Sequence, residues 1–343
     1  MRTLDRRRSY RLVALGLATA LAAGCAGEAD GRRAGETNGR AAEPAPAPSP
    51  AEAPAGRVVE LPSAAEGIVA DPSTHIVAVG VRNPPALVLV DGRSGRVRRR
   101  VELPGHLRHL QLQAPGGPVL VPLEDADRLV RVDLPSGKIG DSVPTGKHPH
   151  DATAAGNGAV FVADEFGKAV SVVRGEKVVH TFRDVAQPGG IAAAGNLVGL
   201  VDVRDNTLTV YDAERLVQVA RVDAGSGPTH TVADRRGRLV VIDTRGEAIL
   251  VFALRPTVRL VSRTPLPGHP YGVAYDTRRD RLWVTLTGRN QLVGLDFGAG
   301  GPREAVRLPT VRQPNTVAVD ATSGLVFVTG RADGDLQIAP RNP

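Results

Sequence analysis

From residue 57 onward, the chain alternates short apolar runs with polar turns that are rich in glycine. The most regular of these runs hold four aliphatic or aromatic residues, as in Ile76-Val77-Ala78-Val79, Leu239-Val240-Val241-Ile242 and Leu325-Val326-Phe327-Val328. Runs of this length, bounded by Gly, Asp or Asn, are typical of β-strands, and the 3.6-residue period of a helix is not present. The pattern therefore predicts an all-β protein.

The apolar pattern repeats about every 41 residues, and each copy begins at a proline or its equivalent. Each copy holds a short strand, two further apolar strands and a more polar fourth strand. Four strands in a repeat of this length are typical of a propeller blade, so we predict a seven-bladed β-propeller with four antiparallel strands per blade. The seven marker positions are Ala65, Leu107, Pro149, Pro188, Pro228, Pro270 and Pro314.

The seventh copy stops after its third strand, so its outer strand has to come from elsewhere in the chain. Val59-Glu60-Leu61-Pro62 resembles the outer strand of the first copy, Val101-Glu102-Leu103-Pro104. We therefore expect residues 57–62 to supply the fourth strand of the last blade and so remove a free sheet edge.

The first 24 residues have the composition of a secretory signal. Five Arg and one Asp precede the apolar run 12–23, which is too short to span a bilayer. The run ends in Leu21-Ala22-Ala23-Gly24-Cys25, which resembles the cleavage site of a bacterial lipoprotein signal. This resemblance implies that Cys25 carries a lipid, which anchors the protein in the cell envelope at the outer face of a bacterial membrane. A soluble secreted product is the alternative.

Residues 25–56 follow the signal as a segment rich in Ala and Pro, with few large apolar side chains. A segment of this composition cannot bury enough apolar surface to fold alone. We predict a disordered tether that joins Cys25 to a propeller spanning residues 57–343.

Composition also limits the possible functions. A single cysteine excludes an intramolecular disulfide and any metal site that needs several cysteines. The net charge is +7, but about half of it lies in residues 1–24, and aromatic residues make up only 3% of the chain. Nucleic-acid binding is therefore not expected, because it calls for a basic surface and, for single strands, stacking aromatic side chains.

The second and third strands of the repeat resemble those of the YVTN, or YncE-like, family of seven-bladed propellers. Leu282-Trp283-Val284-Thr285 and Leu325-Val326-Phe327-Val328-Thr329 are similar to the strand that gives the family its name. Val88-Leu89-Val90-Asp91 with Ser94-Gly95 resembles the strand and turn that follow it. The resemblance covers residues 57–340, and it implies extracytoplasmic binding or scaffolding without a shared catalytic set.

Histidine is concentrated beside the marker positions. In a propeller the first strand of every blade lines the central channel, so residues next to these positions are expected to gather at one mouth of the channel. Six of the eight histidines are in this group: His106, His109, His148, His150, His230 and His269. Other candidate ligand-binding residues in the group are Glu66, Arg108, Asp151, Tyr271 and Asn315.

This histidine-rich mouth is open to three interpretations. Neutral imidazoles beside a carboxylate suit Zn, Cu or Ni, and partly protonated imidazoles suit a small polar or anionic ligand. The third interpretation is that His-Pro is simply tolerated in a hydrated turn. If a metal ion binds, the candidate ligands are His109, His148, His150, Asp151 and His230.

The sequence contains no nucleophile elbow, Walker loop, dinucleotide-binding fingerprint or zinc-protease motif. The leading hypothesis is therefore a lipid-anchored propeller that binds a protein partner or small ligand at its mouth and is not itself an enzyme. The alternative is a metal-dependent lyase or a lactonase-like hydrolase, with Glu66, His150, Asp151 and His230 as its acid, base or metal ligands. The carboxylates after the second strands are expected to cap turns; they are Asp164, Glu165, Asp202 and Asp243.

Overall fold

The computed structural model describes residues 41–298 and 301–340. Within these ranges the chain forms 28 β-strands and a single-turn 3-10 helix, Thr287–Arg289. The signal segment and Cys25 lie outside the described residues. In the described part of the chain, no helix is long and apolar enough to cross a membrane.

The strands form seven four-stranded antiparallel sheets, which are the blades of a propeller. The domain begins with β1 (Arg57–Glu60). Blades 1 to 3 follow, from the channel outward: β2 (Ala65–Ala70), β3 (Ile76–Val81), β4 (Ala86–Asp91), β5 (Val97–Glu102); β6 (Gln111–Leu112), β7 (Val119–Leu123), β8 (Arg128–Val132), β9 (Ile139–Pro144); β10 (Pro149–Ala154), β11 (Val160–Asp164), β12 (Ala169–Arg174), β13 (Lys177–Phe182).

Blades 4 to 6 repeat this order, and the last three strands belong to blade 7. They are β14 (Pro188–Ala194), β15 (Leu197–Asp202), β16 (Thr207–Asp212), β17 (Val217–Asp223); β18 (Pro228–Ala233), β19 (Leu239–Asp243), β20 (Ala248–Ala253), β21 (Arg259–Pro265); β22 (Pro270–Asp276), β23 (Arg281–Leu286), β24 (Gln291–Gly298), β25 (Gly301–Pro309); β26 (Pro314–Val319), β27 (Val326–Gly330), β28 (Asp335–Ala339).

Blade 7 joins the two ends of the domain. β1 pairs antiparallel with β28, from Arg57 opposite Ile338 to Glu60 opposite Asp335. The predicted fold class, including closure of the last blade by an N-terminal strand, is confirmed.

The burial of the middle strands of each blade explains why their sequences are apolar. In blade 1 every residue of β3 is buried and β4 is buried except at its last residue, whereas the outer strand β5 is mostly exposed. Aliphatic side chains fill the space between neighbouring blades. One such layer packs Ala78 and Leu89 of blade 1 with Val121 and Val130 of blade 2. Because the middle strands are apolar on both faces, the ring is held together mainly by removal of this surface from water.

The repeated proline begins the innermost strand in five blades. In blades 3, 6 and 7 the residue before it is His148, His269 or Gln313, each with a φ of 58°. This is the left-handed region, which is uncommon outside glycine but in which histidine is enriched. The geometry supports a turn-forming role for the backbone of His148 and His269, in line with the third interpretation above.

Residues 41–48, here named the strap, lie against the propeller at the channel mouth where the innermost strands begin. The Ala45 amide donates to Thr287 Oγ1 at 3.1 Å, and the Ala47 amide donates to Gln313 Oε1 at 2.7 Å. In return, Gln313 Nε2 donates to the Ala45 carbonyl and Asn290 Nδ2 donates to the Pro48 carbonyl, both at 2.9 Å.

The strap departs from the disordered tether expected over residues 25–56. The expectation rested on a lack of large apolar side chains, but the contacts are mainly hydrogen bonds from the strap backbone to polar side chains of blades 6 and 7. Small side chains add to them, since Ala42 and Ala47 are buried. Further along, the Ala55 amide donates to the Pro309 carbonyl, so contact continues almost to β1.

Candidate functional site

The antiparallel pairing of the first two strands in each blade creates pairs of side chains at the channel mouth. A residue just after the marker position lies beside the residue that follows the second strand. The charge or polarity of each pair is therefore set by two recurring positions. Such pairs are Glu66 with Arg82 at 2.9 Å, Arg108 with Glu124 at 3.3 Å, His150 with Glu165 at 3.1 Å and Thr229 with Thr244 at 2.8 Å.

At these positions of the described chain, ionisable pairs lie in the consecutive blades 1, 2 and 3, and Arg331 of the adjoining blade 7 reaches the Glu66 carboxylate. We call this group the charged sector; it consists of Glu66, Arg82, Arg108, Glu124, His150, Glu165 and Arg331. The corresponding positions in blades 4 to 6 make up the neutral sector, which consists of Gly189, Val203, Thr229, Thr244, Tyr271 and Thr287. The strap donates to Thr287 of the neutral sector and to Gln313 beside it.

Three arginines share one buried carboxylate in the charged sector. Glu66 is contacted by Arg82 Nη1 at 2.9 Å, Arg331 Nε at 3.3 Å and Arg108 Nη1 at 3.4 Å. The Glu66 side chain is only 5% exposed, whereas those of the arginines are 28 to 39% exposed. These arginines therefore give the mouth a local excess of positive charge that solvent or a ligand can reach.

The acidic part of the charged sector surrounds His150. Nδ1 of this residue lies 3.1 Å from Glu165 Oε2 and 3.4 Å from Glu124 Oε1. Burial alone would lower the pKa of His150, but the two carboxylates outweigh it and raise the pKa to about 9. Burial likewise tends to raise the pKa of Glu165, but His150 outweighs it and lowers the pKa to about 2. The structure thus favours a charged His150 and a charged Glu165.

A row of aromatic rings leads from His150 across the channel. His150 packs edge to face on His109 and His109 on His230, each with ring centroids 4.8 Å apart, and His230 packs on Tyr271 at 4.6 Å. Burial, followed by the charge of His150, lowers the pKa of His109 far below its usual value and that of His230 to about 3. His109 and His230 are therefore neutral, and they also line a cavity of about 480 Å³ inside the channel.

Asp151 lines the same cavity as His109 and His230, and its carboxylate ties three blades together. Its carboxylate accepts from Gln111 Nε2 at 3.0 Å and from the amides of Ile191 at 3.1 Å and Ala152 at 2.8 Å. Burial raises its pKa to about 6. Because these donors occupy the carboxylate, Asp151 acts as a structural link between blades 2, 3 and 4.

The remaining candidates lie at the rim of the mouth. The ring of His148 packs on Phe166 at 4.4 Å, and its Nε2 lies 3.6 Å from Glu124 Oε1. His106 forms an exposed pair with Asp125 at 2.8 Å. The structure does not bring His269 or Asn315 into the charged sector. His269 is exposed, and Gln313 Nε2 donates to the Asn315 side chain at 3.3 Å.

Sequence reasoning missed four members of the charged sector, namely Arg82, Glu124, Glu165 and Arg331, either by not considering them or by assigning them to turns. All four directly follow the second strand of a blade, so their shared place in the repeat was the available signal. The expectation of turn caps does describe Asp202, which accepts from the amides of Ala186 and Gln187. Glu165, by contrast, faces His150.

No protein-family profile matches this chain, and no curated protein sequence matches it. Solved structures do. Hydrazine synthase of Kuenenia stuttgartiensis is similar, with 15% identity and a TM-score of 0.70 over 82% of this chain and 96% of that one. Virginiamycin B lyase of Staphylococcus aureus has 14% identity and a TM-score of 0.68 over 82% and 97%. The RRP9 WD40 repeats have 13% identity and a TM-score of 0.73 over 84% and 99%.

At these identities the similarity shows the fold alone. Seven-bladed propellers include both a lyase and WD40 scaffolds, so the fold does not decide between catalysis and binding. Function has to be argued from the side chains at the channel mouth.

Proposed function

We propose that this protein is a lipid-anchored, extracytoplasmic propeller of the YncE-like type that binds a small anionic ligand at the charged sector without transforming it. The observation that carries the proposal is the sharing of one buried carboxylate, Glu66, by Arg82, Arg108 and Arg331. A ligand carboxylate or phosphate above these guanidinium groups would be held by charge-assisted hydrogen bonds, for which arginine has the best geometry.

Access and shape support the same proposal. The hydrogen bonds made by the strap go to Thr287, Gln313 and Asn290, none of which belongs to the charged sector. Phe166 stands 61% exposed at the rim, where its ring packs on His148. An exposed aromatic ring beside a charged layer offers an apolar contact for the uncharged part of a ligand.

A solved propeller of the same fold belongs to the mitotic checkpoint complex, and a protein partner that presents a carboxylate would use the same groups here.

The anchor and location rest on the residues before the described part of the chain. Leu21-Ala22-Ala23-Gly24-Cys25 supports lipid attachment at Cys25 after export. Growth of an expressing bacterium with a labelled fatty acid should label the protein, and Cys25→Ser should abolish the label. Labelling that persists in Cys25→Ser would contradict attachment at this residue.

Ligand binding is tested with inorganic phosphate and succinate as probes, at constant ionic strength and after removal of metal ions. We expect the thermal midpoint of the wild type to rise with the concentration of at least one probe, because a ligand of the folded state stabilises it. The double variant Arg82→Gln/Arg331→Gln should lose this rise. Arg98→Gln is the matched control, since Arg98 pairs with Asp91 in the exposed outer part of blade 1. An equal rise in the double variant, or none in the wild type, would contradict the proposal.

A second candidate is an enzyme that uses the same mouth. It is favoured by the pair of His150 and Glu165, whose pKa values are displaced in opposite directions, as occurs at many catalytic sites. A catalytically inactive virginiamycin B lyase of similar fold has been solved with quinupristin. Incubation of the present protein with quinupristin and divalent cations, followed by chromatography and mass spectrometry, should yield a product that His150→Ala does not form. An unchanged quinupristin peak would count against a lyase with this substrate.

A further inference from the structure

We infer that Glu124, His150 and Glu165 form a binding site for one divalent first-row metal ion, Zn²⁺ or Mn²⁺. The site differs from the metal ligands that the sequence suggested, because only His150 belongs to both sets. It goes beyond the proposed anion site and does not depend on it.

The donor atoms already have the spacing that a metal ion requires. Ligands that hold a first-row ion at about 2.0–2.2 Å in tetrahedral geometry lie about 3.4 Å from one another. His150 Nδ1 is 3.4 Å from Glu124 Oε1 and 3.1 Å from Glu165 Oε2. Donor atoms of all three residues lie within 4.8 Å of one another, so a small movement of one carboxylate would complete the geometry.

Two of these donor atoms are buried and incompletely paired. Glu124 Oε1 and His150 Nδ1 are both inaccessible to solvent. Arg108 Nε lies 3.3 Å from Glu124 Oε1 and Glu165 Oε2 lies 3.1 Å from His150 Nδ1, but neither buried atom makes a hydrogen bond of acceptable geometry. The Glu124 side chain is only 7% exposed. Burial of an incompletely paired polar atom is unfavourable. A cation between these atoms and Glu165 would take the place of the proton on His150 Nδ1, which is released on binding, and would give both atoms a full partner.

A neighbouring side chain orients one of the carboxylates. Gln187 Nε2 donates to Glu165 Oε1 at 2.8 Å, so Oε2 is the oxygen directed at His150. Outer contacts of this kind fix the orientation of metal ligands and are a regular part of metal sites.

The donor set determines the class of ion. One imidazole nitrogen with two carboxylate oxygens suits Zn²⁺ or Mn²⁺ better than an ion that prefers oxygen alone, such as Mg²⁺ or Ca²⁺. Among the described residues, this is the one group of three or more His, Cys, Asp or Glu donors that converge closely enough. The other suggested histidines, His109, His148 and His230, do not join it.

The test measures metal binding directly, with no small anion present. The propeller is stripped with a chelator, dialysed and titrated with Zn²⁺ or Mn²⁺ by calorimetry, and Co²⁺ is used as a spectroscopic probe of the ligand set. We expect one equivalent to bind, and Glu124→Gln and Glu165→Gln each to weaken binding at least about 100-fold. His106→Gln is the matched control, because His106 forms a His–carboxylate pair at the exposed rim and should bind like the wild type.

Three outcomes would overturn the inference. Less than about a tenth of an equivalent bound at saturating metal would mean that His150 and the carboxylates form an ion pair only. An affinity equal to that of the wild type in both Gln variants would mean that the metal ion binds elsewhere, and loss of binding in His106→Gln would place it at the rim.

Circular dichroism checks the fold of each variant. If a Gln variant is unfolded, Glu165→Asp serves in its place, and its Co²⁺ absorption spectrum should differ from that of the wild type; an identical spectrum would also overturn the inference. Because phosphate and succinate are tested on the stripped protein, failure of the anion site and failure of the metal site are seen separately.

Discussion

The charged and neutral sectors are two parts of the same ring, built from equivalent positions, yet they differ in how well their polar groups are satisfied. In the neutral sector, Thr229 and Thr244 bond to each other at 2.8 Å, and Thr244 Oγ1 also contacts the Pro270 carbonyl at 2.8 Å. In the charged sector, Glu124 Oε1 and His150 Nδ1 are buried without such partners.

The difference shows how one scaffold can change the polarity of its mouth without changing its backbone. Blades of the same topology fix the backbone, and two recurring positions per blade then decide whether polar groups in a segment of the mouth bond to each other or stay incompletely paired. The strap contacts the neutral sector at Thr287, whereas the two unsatisfied atoms of the charged sector, Glu124 Oε1 and His150 Nδ1, lie in blades 2 and 3. The proposed binding sites are therefore placed where the mouth leaves charge incompletely paired.

The largest effect on this comparison is expected from removal of the charge of Glu66. Glu66→Gln leaves three guanidinium groups without their common counter-charge. Because these groups are about one-third exposed, we expect a loss of about 2 kcal/mol in the free energy of unfolding, less than for a fully buried pair. Urea denaturation measures this loss.

The counterpart in the neutral sector is Thr229→Val, which removes one hydrogen bond to Thr244. Its expected loss is about 1 kcal/mol. If Thr229→Val destabilised the protein more than Glu66→Gln, the two sectors would not differ in the way described here.

A further effect is expected from pH. Folding raises the pKa of His150 from 6.5 to about 9, so the folded state binds this proton more tightly than the unfolded state. The resulting stability is complete below pH 6.5 and is lost progressively as the pH rises from 6.5 through 9. Urea midpoints measured from pH 6 to 10 should fall in the wild type and fall less in His150→Gln.

His230, in the same row of rings, is expected to change the stability with pH in the opposite direction. Folding lowers its pKa to about 3, so its contribution to stability is present above pH 6.5 and is lost as the pH falls toward 3. His230→Gln should therefore reduce the loss of stability on the acid side and leave the alkaline side unchanged. An altered alkaline slope in His230→Gln would show that the two histidines titrate as one unit.

The smallest effect is expected at the strap. Gln313→Ala removes the acceptor of the Ala47 amide and the donor to the Ala45 carbonyl. Amide hydrogen exchange of Ala47 should become at least about tenfold faster, while global stability falls by about 1 kcal/mol or less. Gln218→Ala on the exposed outer strand β17 is the control. Unchanged exchange in Gln313→Ala would mean that this side chain does not hold the strap.

The ring was predictable from sequence because it depends on regular features. The marker prolines recur at nearly constant spacing, and in the structure Pro149 and Pro270 each begin an innermost strand. Closure of the ring was predictable as well, because the short segment that contains Val59-Glu60 resembles an outer strand by itself, without reference to distant residues. Period and strand length are set by short-range chemistry, which a sequence shows directly.

The partners within the mouth were harder to predict. Glu124 and His150 come from different blades, and their contact depends on how neighbouring sheets are placed around the channel. Residue type was also misleading, since Asp151 has the chemistry of a ligand but is occupied by backbone amides. The strap depends on side chains such as Gln313, which lie far from it in sequence.

The pairing of β1 with β28 also has a consequence for the order of assembly. β1 is the first strand of the propeller to leave the ribosome, and its partner is the last. A hydrogen bond beside it, from Gln337 to the Ala55 carbonyl, joins residues 282 positions apart. Contacts of such long sequence separation form slowly. The ring therefore closes only once β28 has been made, and until β1 pairs with it, β28 presents an open edge to which another chain could add.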